Sequence, residues 1–266
     1  MREVKFIRPK SLADAVQIYR ATPGCRPLAG GTDLMVMLHA GTVRPAPQAV
    51  LDLWSLAELK GVRLVNDVVE IGAAESYTGI IGSQVVQQHL PALAAAARTI
   101  GAAQIQNRGT LGGNLANASP AGDTLPVLLA YDAVVATDRR AIPIDMFFTG
   151  YRKTALESDE LITAVQFPLG REVAFRKVGT RAAQAISKVV MAVSRQPARI
   201  AIGSVAEVPL RARRAEAALN GGDVEGAVAA VAEDIRPIDD VRSTAAYRRA
   251  VTQNVLGGLL DAFARR

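Results

Sequence analysis

The spacing of apolar residues along the chain changes period several times, and each change marks an element. Near the start, "EVKFIRP" reads as a short strand closed by Pro9. "SLADAVQIYRAT" then carries Leu12, Ala15, Val16 and Tyr19 on one helical face, with Ser11 as N-cap and Asp14 three residues on. "RPLAGGTDLMVMLHAG" reads as a strand end, a tight glycine turn and a helix, and "AVLDL" as a strand. "VRLVNDVVEIGA" is a hairpin pattern turning at Asn66-Asp67. Helical patterns cover residues 80–89 and 91–100, with Gly101 placed to end the second. The polar run "NRGTLGGNLANASPAGDTLP" reads as a surface loop, followed by a helix from Asp123, a strand "AVVATD" and a strand "DELITAVQFP" closed by Pro168 and Gly170.

Beyond that point the order of elements changes. "EVAFRKVG", "ISKVVMAVS" and "ARIAIGSVA" are three strand patterns in succession, and helical patterns follow over 210–219, 224–235 and 243–263. Strands followed by helices define an α+β unit. The pattern predicts a first domain over 1–168, divided into lobes of about 1–54 and 55–168, and a second over 169–266, a three-stranded sheet with helices.

Composition narrows the function classes. The 266 residues are 50% hydrophobic and 21% charged, with a formal net charge of +6. The basic residues are scattered, apart from "RARR" and "YRR" within helical patterns. Those read as solvated helix faces, and no zinc-finger or RRM signature points to nucleic acid. One cysteine, Cys25, rules out an internal disulfide, and with only two histidines, His39 and His89, a Cys/His metal cage is excluded. The start lacks an apolar segment of signal-peptide type, and the apolar runs are broken too soon for a membrane span. A cytoplasmic location is the resulting expectation.

Two glycine motifs hold the candidate chemistry, "AGGTD" at residues 29–33 and "GTLGGN" at 109–114, both read as following strand-like residues. Glycine lets backbone N–H groups approach a ligand closely and admits positive φ, and a helix start adds free donors. Thr32 and Thr110 offer hydroxyls and Asn114 an amide. The pairing suits a diphosphate, yet each motif is also readable as a plain turn. Neither is a G-x-G-x-x-G fingerprint or a P-loop. Asp123 is either the N-cap of the next helix or an acceptor for ribose hydroxyls. Lys177 is either a solvated strand residue or a ligand contact. No nucleophile–base pair or carboxylate pair stands out, so any redox or transfer chemistry falls to a cofactor.

"AGGTDLM" and "TLGGNLANASPAGDTLP" resemble the two FAD-binding motifs of the flavoprotein (medium) subunits of molybdenum hydroxylases, the family of xanthine dehydrogenases and aerobic carbon monoxide dehydrogenases. The resemblance continues through "GYRKTAL", "DELITAVQFP", "FRKVGTRAAQAISKVVMAV", "GSVAEVPLRARRAEAAL" and "DDVRSTAAYRR". It implies a PCMH-type FAD-binding domain of two α+β lobes and a smaller α+β C-terminal domain. It implies non-covalent FAD between the lobes, with Ala29, Gly30, Gly31, Thr32, Asp33 and Leu34 and then Thr110, Gly112, Gly113 and Asn114 at the diphosphate. Asn117, Gly122 and Asp123 then line the AMP end, and Ile100 and Gly101 border the cofactor. Leu161 and Ile162 pack near its rings, and Lys177 near the isoalloxazine. The resemblance further implies 2Fe-2S clusters on a small partner subunit and molybdopterin on a large one, in a dimer of heterotrimers. Members often carry an acidic residue just before the "I-x-K-V" stretch; here it is Ala185, which leaves the terminal acceptor open. A stand-alone PCMH-type flavin oxidase, and a non-catalytic nucleotide-binding module, remain the alternatives.

Overall fold

A computed structural model describes residues 4–181 and 184–265. It opens with β1 (Lys5–Ile7), α1 (Leu12–Ala21), β2 (Cys25–Leu28), α2 (Leu34–His39) and β3 (Ala49–Asp52). β3 lies at the centre of a parallel three-stranded sheet, between β1 and β2. Its "AVL" run is fully buried, as a central parallel strand requires. The Ser11 hydroxyl accepts the Asp14 N–H at 3.1 Å and starts α1. Ala15 of α1 packs on Cys25, Ala49 and Leu51.

Next come β4 (Val62–Val65), β5 (Val68–Gly72), α3 (Tyr77–Gly82), α4 (Gln84–His89), α5 (Pro91–Arg98), α6 (Ala103–Arg108), α7 (Leu111–Asn117) and α8 (Leu125–Ala130). They are followed by β6 (Val134–Thr137), β7 (Ala141–Pro143), α9 (Ile144–Phe147), β8 (Phe148–Gly150), β9 (Lys153–Thr154) and β10 (Ile162–Pro168). Five strands form an antiparallel sheet in the order β4-β5-β10-β6-β7, and β8 and β9 pair as a separate hairpin. Asn66 and Asp67 turn the β4–β5 hairpin with φ of 47° and 60°, the geometry of a type I′ turn.

Three local expectations change here. The helix expected over 80–89 starts earlier, at Tyr77, and breaks at Ser83, whose hydroxyl caps α4 by accepting the Val86 N–H. The expected surface loop at 107–126 contains α7, and its first half is preceded by α6 rather than by a strand. Glycine content had argued for a loop, but Leu111 and Leu115 are fully buried and hold the segment helical. Finally, α8 begins at Leu125, with Thr124 ahead of it and no side-chain cap. Asp123 therefore does not cap this helix.

The last segment contains β11 (Val173–Val178), β12 (Val189–Arg195), β13 (Ala198–Gly203), β14 (Leu210–Arg211), α10 (Arg213–Asn220), α11 (Val224–Asp234) and α12 (Ala245–Ala264). Its antiparallel sheet has the order β11-β12-β13-β14. It has four strands, not three, because Leu210 and Arg211 pair with Ile202 and Ala201 before the helix starts. β12 is buried from Val189 to Ser194 because both its faces are covered. Val189, Met191 and Val193 face a core shared with Leu219, Val231 and Leu256 of the following helices. Ala192 and its partner Ala201 join the core of the preceding segment, against residues of α8. Small residues let α8 come close: an added Cβ at Gly203 would lie 3.2 Å from Pro126 Cγ of α8.

Candidate functional site

A cleft of about 820 Å³ opens between the three-stranded and five-stranded lobes. Both glycine motifs reach it, and they touch each other. Gly30 sits against the end of α6, where an added Cβ would lie 1.8 Å from the Arg108 carbonyl oxygen. Gly31 adopts φ of +78°, the left-handed conformation that favours glycine. The first motif thus turns through Gly31 and rests on the second through Gly30.

The second motif is anchored from below. Gly112 N donates to the Ala73 carbonyl at 2.9 Å, and an added Cβ there would meet that same oxygen at 2.6 Å. The Thr110 hydroxyl accepts the Gly113 N–H at 3.0 Å and caps α7. Gly113 is exposed on the cleft wall, and beyond its own helix backbone and chain neighbours its added Cβ would meet Thr110 Oγ1 alone among the described residues, at 2.8 Å. Of these glycines, Gly113 is the exposed one, with room beside it on the cleft wall. Asn114 Oδ1 accepts the Thr124 hydroxyl at 2.7 Å, which leaves the Asn114 Nδ2 as a donor.

The structure brings most of the expected site residues to this one cavity. Ala29, Gly30, Gly31, Thr32, Asp33 and Leu34 line one wall, and Thr110, Gly112, Gly113, Asn114 and Asn117 another, with Ile100, Leu161 and Ile162 completing it. Gly101, Gly122, Asp123 and Lys177 do not line it. Gly101 has φ of +51° and its added Cβ would strike Ile105, so it serves the turn into α6. Asp123 and Lys177 form a buried pair behind the wall. Lys177 Nζ donates to Asp123 Oδ2 at 2.6 Å and to the Thr99 carbonyl at 3.0 Å. Their side chains are 11% and 9% exposed, so Lys177 is not a solvated strand residue. Burial pushes the Asp123 carboxyl up, an effect that Lys177 opposes. Asp123 Oδ1 and the Tyr77 hydroxyl are both buried without a hydrogen-bond partner among the described residues. Burial also pushes the Tyr77 phenol above the ordinary tyrosine range.

Several cleft residues gave no sequence signal of their own. Tyr77, Arg152 and Glu160 are on its lining. Glu160 is fully buried at the side chain, and its two bonds from Arg140, both at 2.9 Å, hold its carboxyl down to about 2. It fixes the start of β10, where Leu161 and Ile162 meet the cleft. Cys25 also lines the cleft, although nothing in the sequence placed it beside the glycine motifs. Burial raises its thiol pKa, and a neutral thiol is a poor nucleophile.

The shape, the exposed Gly113 and the two converging glycine motifs fit an extended dinucleotide. Comparison with known proteins gives the decisive match: residues 2–170 fit the model of the FAD binding domain in molybdopterin dehydrogenase, and 174–262 that of the CO dehydrogenase flavoprotein C-terminal domain. The chain belongs to this flavoprotein family. The Escherichia coli O157:H7 xanthine dehydrogenase FAD-binding subunit is 34% identical, over 94% of this chain and 92% of its own length. The Sulfolobus acidocaldarius glyceraldehyde dehydrogenase medium chain is 32% identical, over 94% and 95%. In three dimensions, the molybdopterin-dehydrogenase flavoprotein fold is seen in a carbon monoxide dehydrogenase chain from Hydrogenophaga pseudoflava, with a TM-score of 0.92 and 31% identity over 99% of this chain and 98% of that one. No helix among the described residues is long and apolar enough to cross a membrane.

Proposed function

We propose that this chain is the FAD-binding subunit of a cytoplasmic molybdenum-containing hydroxylase, which receives electrons from iron–sulfur clusters on a small partner subunit and passes them to a terminal acceptor. The observation that carries the reading is the glycine-walled cleft, set in a chain that matches the family along nearly its whole length. FAD supplies the electron-accepting and electron-donating chemistry when bound. The protein's own part is to hold and orient it.

In this reading the domain division falls near residue 168. Residues 29–34 of the first motif and Thr110, Gly112, Gly113 and Asn114 of the second hold the diphosphate. Asn117 belongs to the AMP end, and Ile100, Leu161 and Ile162 supply apolar walls. Asp123 and Lys177 act from behind as a pair that fixes Thr99 and the turn at Gly122. The oriented Asn114 amide adds a donor. The molybdopterin lies on a large partner subunit, and the assembly is a dimer of heterotrimers. With a single cysteine in the chain, a Cys-ligated cluster belongs to another subunit.

The test is an absorption spectrum of the affinity-purified native complex, with mass spectrometry of its subunits. Flavin and iron–sulfur bands with two co-purifying chains, one cysteine-rich and one large, are expected. A lone yellow chain would replace this reading with a stand-alone flavoenzyme, and a colourless chain that refuses added FAD would end it. Gly113→Val is expected to abolish FAD binding, because its side chain occupies the exposed wall. The flavin is expected in the supernatant after acid precipitation, since the buried Cys25 thiol is neutral.

A further inference from the structure

The hairpin of β8 and β9 turns through two residues, Tyr151 and Arg152. Arg152 has φ of 52°. Glycine or asparagine suits that left-handed position in a tight turn, and a long side chain does not. A disfavoured conformation kept in an exposed turn points to use of the side chain.

That side chain is placed with care. Arg152 lines the cleft, and its Nη1 donates to Asn117 Oδ1 at 2.6 Å. Its other N–H groups have no acceptor among the described residues. The hairpin is itself tied down, since Tyr151 N donates to Glu207 Oε1 at 2.9 Å across to the C-terminal segment.

Charge at the cleft gives the guanidinium a task. Three acids line it, Asp33, Glu157 and Glu160. Glu157 is paired with Arg139 and Glu160 with Arg140, whereas Asp33 has no ion pair among the described residues and lies in the first glycine motif. A diphosphate bound between the two motifs meets neutral amides and one uncompensated carboxylate, so it needs a cation. Arg26 and Arg44 also line the cleft, but Arg44 is bonded to the carbonyl of its own neighbour Val43. Arg152 alone is held against α7.

We propose that Arg152 is a binding residue of this cleft, its guanidinium held on Asn117 to pair with the diphosphate of the dinucleotide on its AMP side. The inference rests on the FAD reading above. A guanidinium suits the role because its planar fork bonds one oxygen acceptor while offering further donors to a phosphate.

Arg152→Gly tests it with a sign that a structural role would not give. Glycine relieves the left-handed strain, so the flavin-stripped full chain is expected to melt no lower than the parent. FAD affinity, titrated by quenching of flavin fluorescence, is expected to fall by about tenfold or more. Its dependence on ionic strength is expected to flatten with the lost charge. Arg152→Asn, which also tolerates the turn, is expected to behave like the glycine variant, and Arg152→Lys to recover part of the affinity. Unchanged affinity and salt dependence in Arg152→Gly and Arg152→Asn would overturn the proposal. If Gly113→Val still abolishes binding in that case, only the role of Arg152 falls; if Gly113→Val also binds FAD normally, the cleft reading falls with it.

Discussion

Asp123 and Lys177 show how a residue's meaning depends on what surrounds it. The carboxylate is buried, its Oδ2 is shared by Lys177 and Thr99, and its Oδ1 has no partner among the described residues. Removing one member of such a pair strands the other in a low-dielectric site. Lys177→Met is therefore expected to destabilise the protein by about 3–5 kcal/mol at neutral pH. The double variant Asp123→Asn/Lys177→Met is expected to be more stable than Lys177→Met alone. A thermal-unfolding double-mutant cycle checks this, and a double variant as unstable as the sum of the singles would count against a coupled pair. Glu160 supplies a pH signature. Its folded pKa lies near 2, below the ordinary 4.5, so its contribution is full above about 4.5 and drains away as the pH falls toward 2. Glu160→Gln is expected to flatten the acid limb of stability across that window. An identical acid limb in parent and variant would remove Glu160 from the account. Of these residues, only Asp123 and Lys177 were legible beforehand. Arg140 and Glu160 lie twenty residues apart, and no local pattern links them.

At the scale of elements, turn chemistry was the most readable feature. Asn66-Asp67 turns where the alternation of apolar residues required, with both residues at positive φ. Glycine fits the second position better than aspartate, so Asp67→Gly is expected to raise stability by up to about 1 kcal/mol. A lower melting temperature for that variant would show that the Asp67 side chain contributes more than its backbone costs. Helix ends were less legible. The break at Ser83 depends on a hydroxyl taking an amide from the next turn, and α7 forms within a glycine-rich run because Leu111 and Leu115 find a core. Composition reports local freedom, and burial across the chain overrode it. The short β14 was missed for a similar reason, since its two pairings come from β13.

For the whole molecule, the contact between α8 and the C-terminal four-stranded sheet bears on how the site is held. Two kinds of interaction make it. Ala192, Ala201 and Gly203 give α8 a smooth sheet face to lie on. Beside it, Asp132 collects Arg171, Arg199 and Arg211. Gly203→Val places carbon against the Pro120 carbonyl and Pro126, and is expected to cost about 1–3 kcal/mol and to quicken proteolysis near residues 168–172. A variant with parental melting and proteolysis would mean that this contact yields without loss. Because Lys177 comes from one side of this contact and Asp123 from the other, loosening it is also expected to weaken FAD binding.

The sequence by itself determined many of the helices and strands, the hairpin at Asn66-Asp67, the two glycine motifs and, through their resemblance to a family, the cofactor class. These are properties of short segments, where propensity, period and turn geometry act over a few neighbours. Only the tertiary structure decided which glycines turn the chain, which one stands exposed, and that Asp123 bonds Lys177 instead of capping a helix. It also decided that Arg152 and Glu160 belong to the cleft. Those outcomes depend on which atoms meet across long stretches of chain, and on which of them lose water when they do. Burial sets both the cost of an unpaired charge and the fit of a missing Cβ.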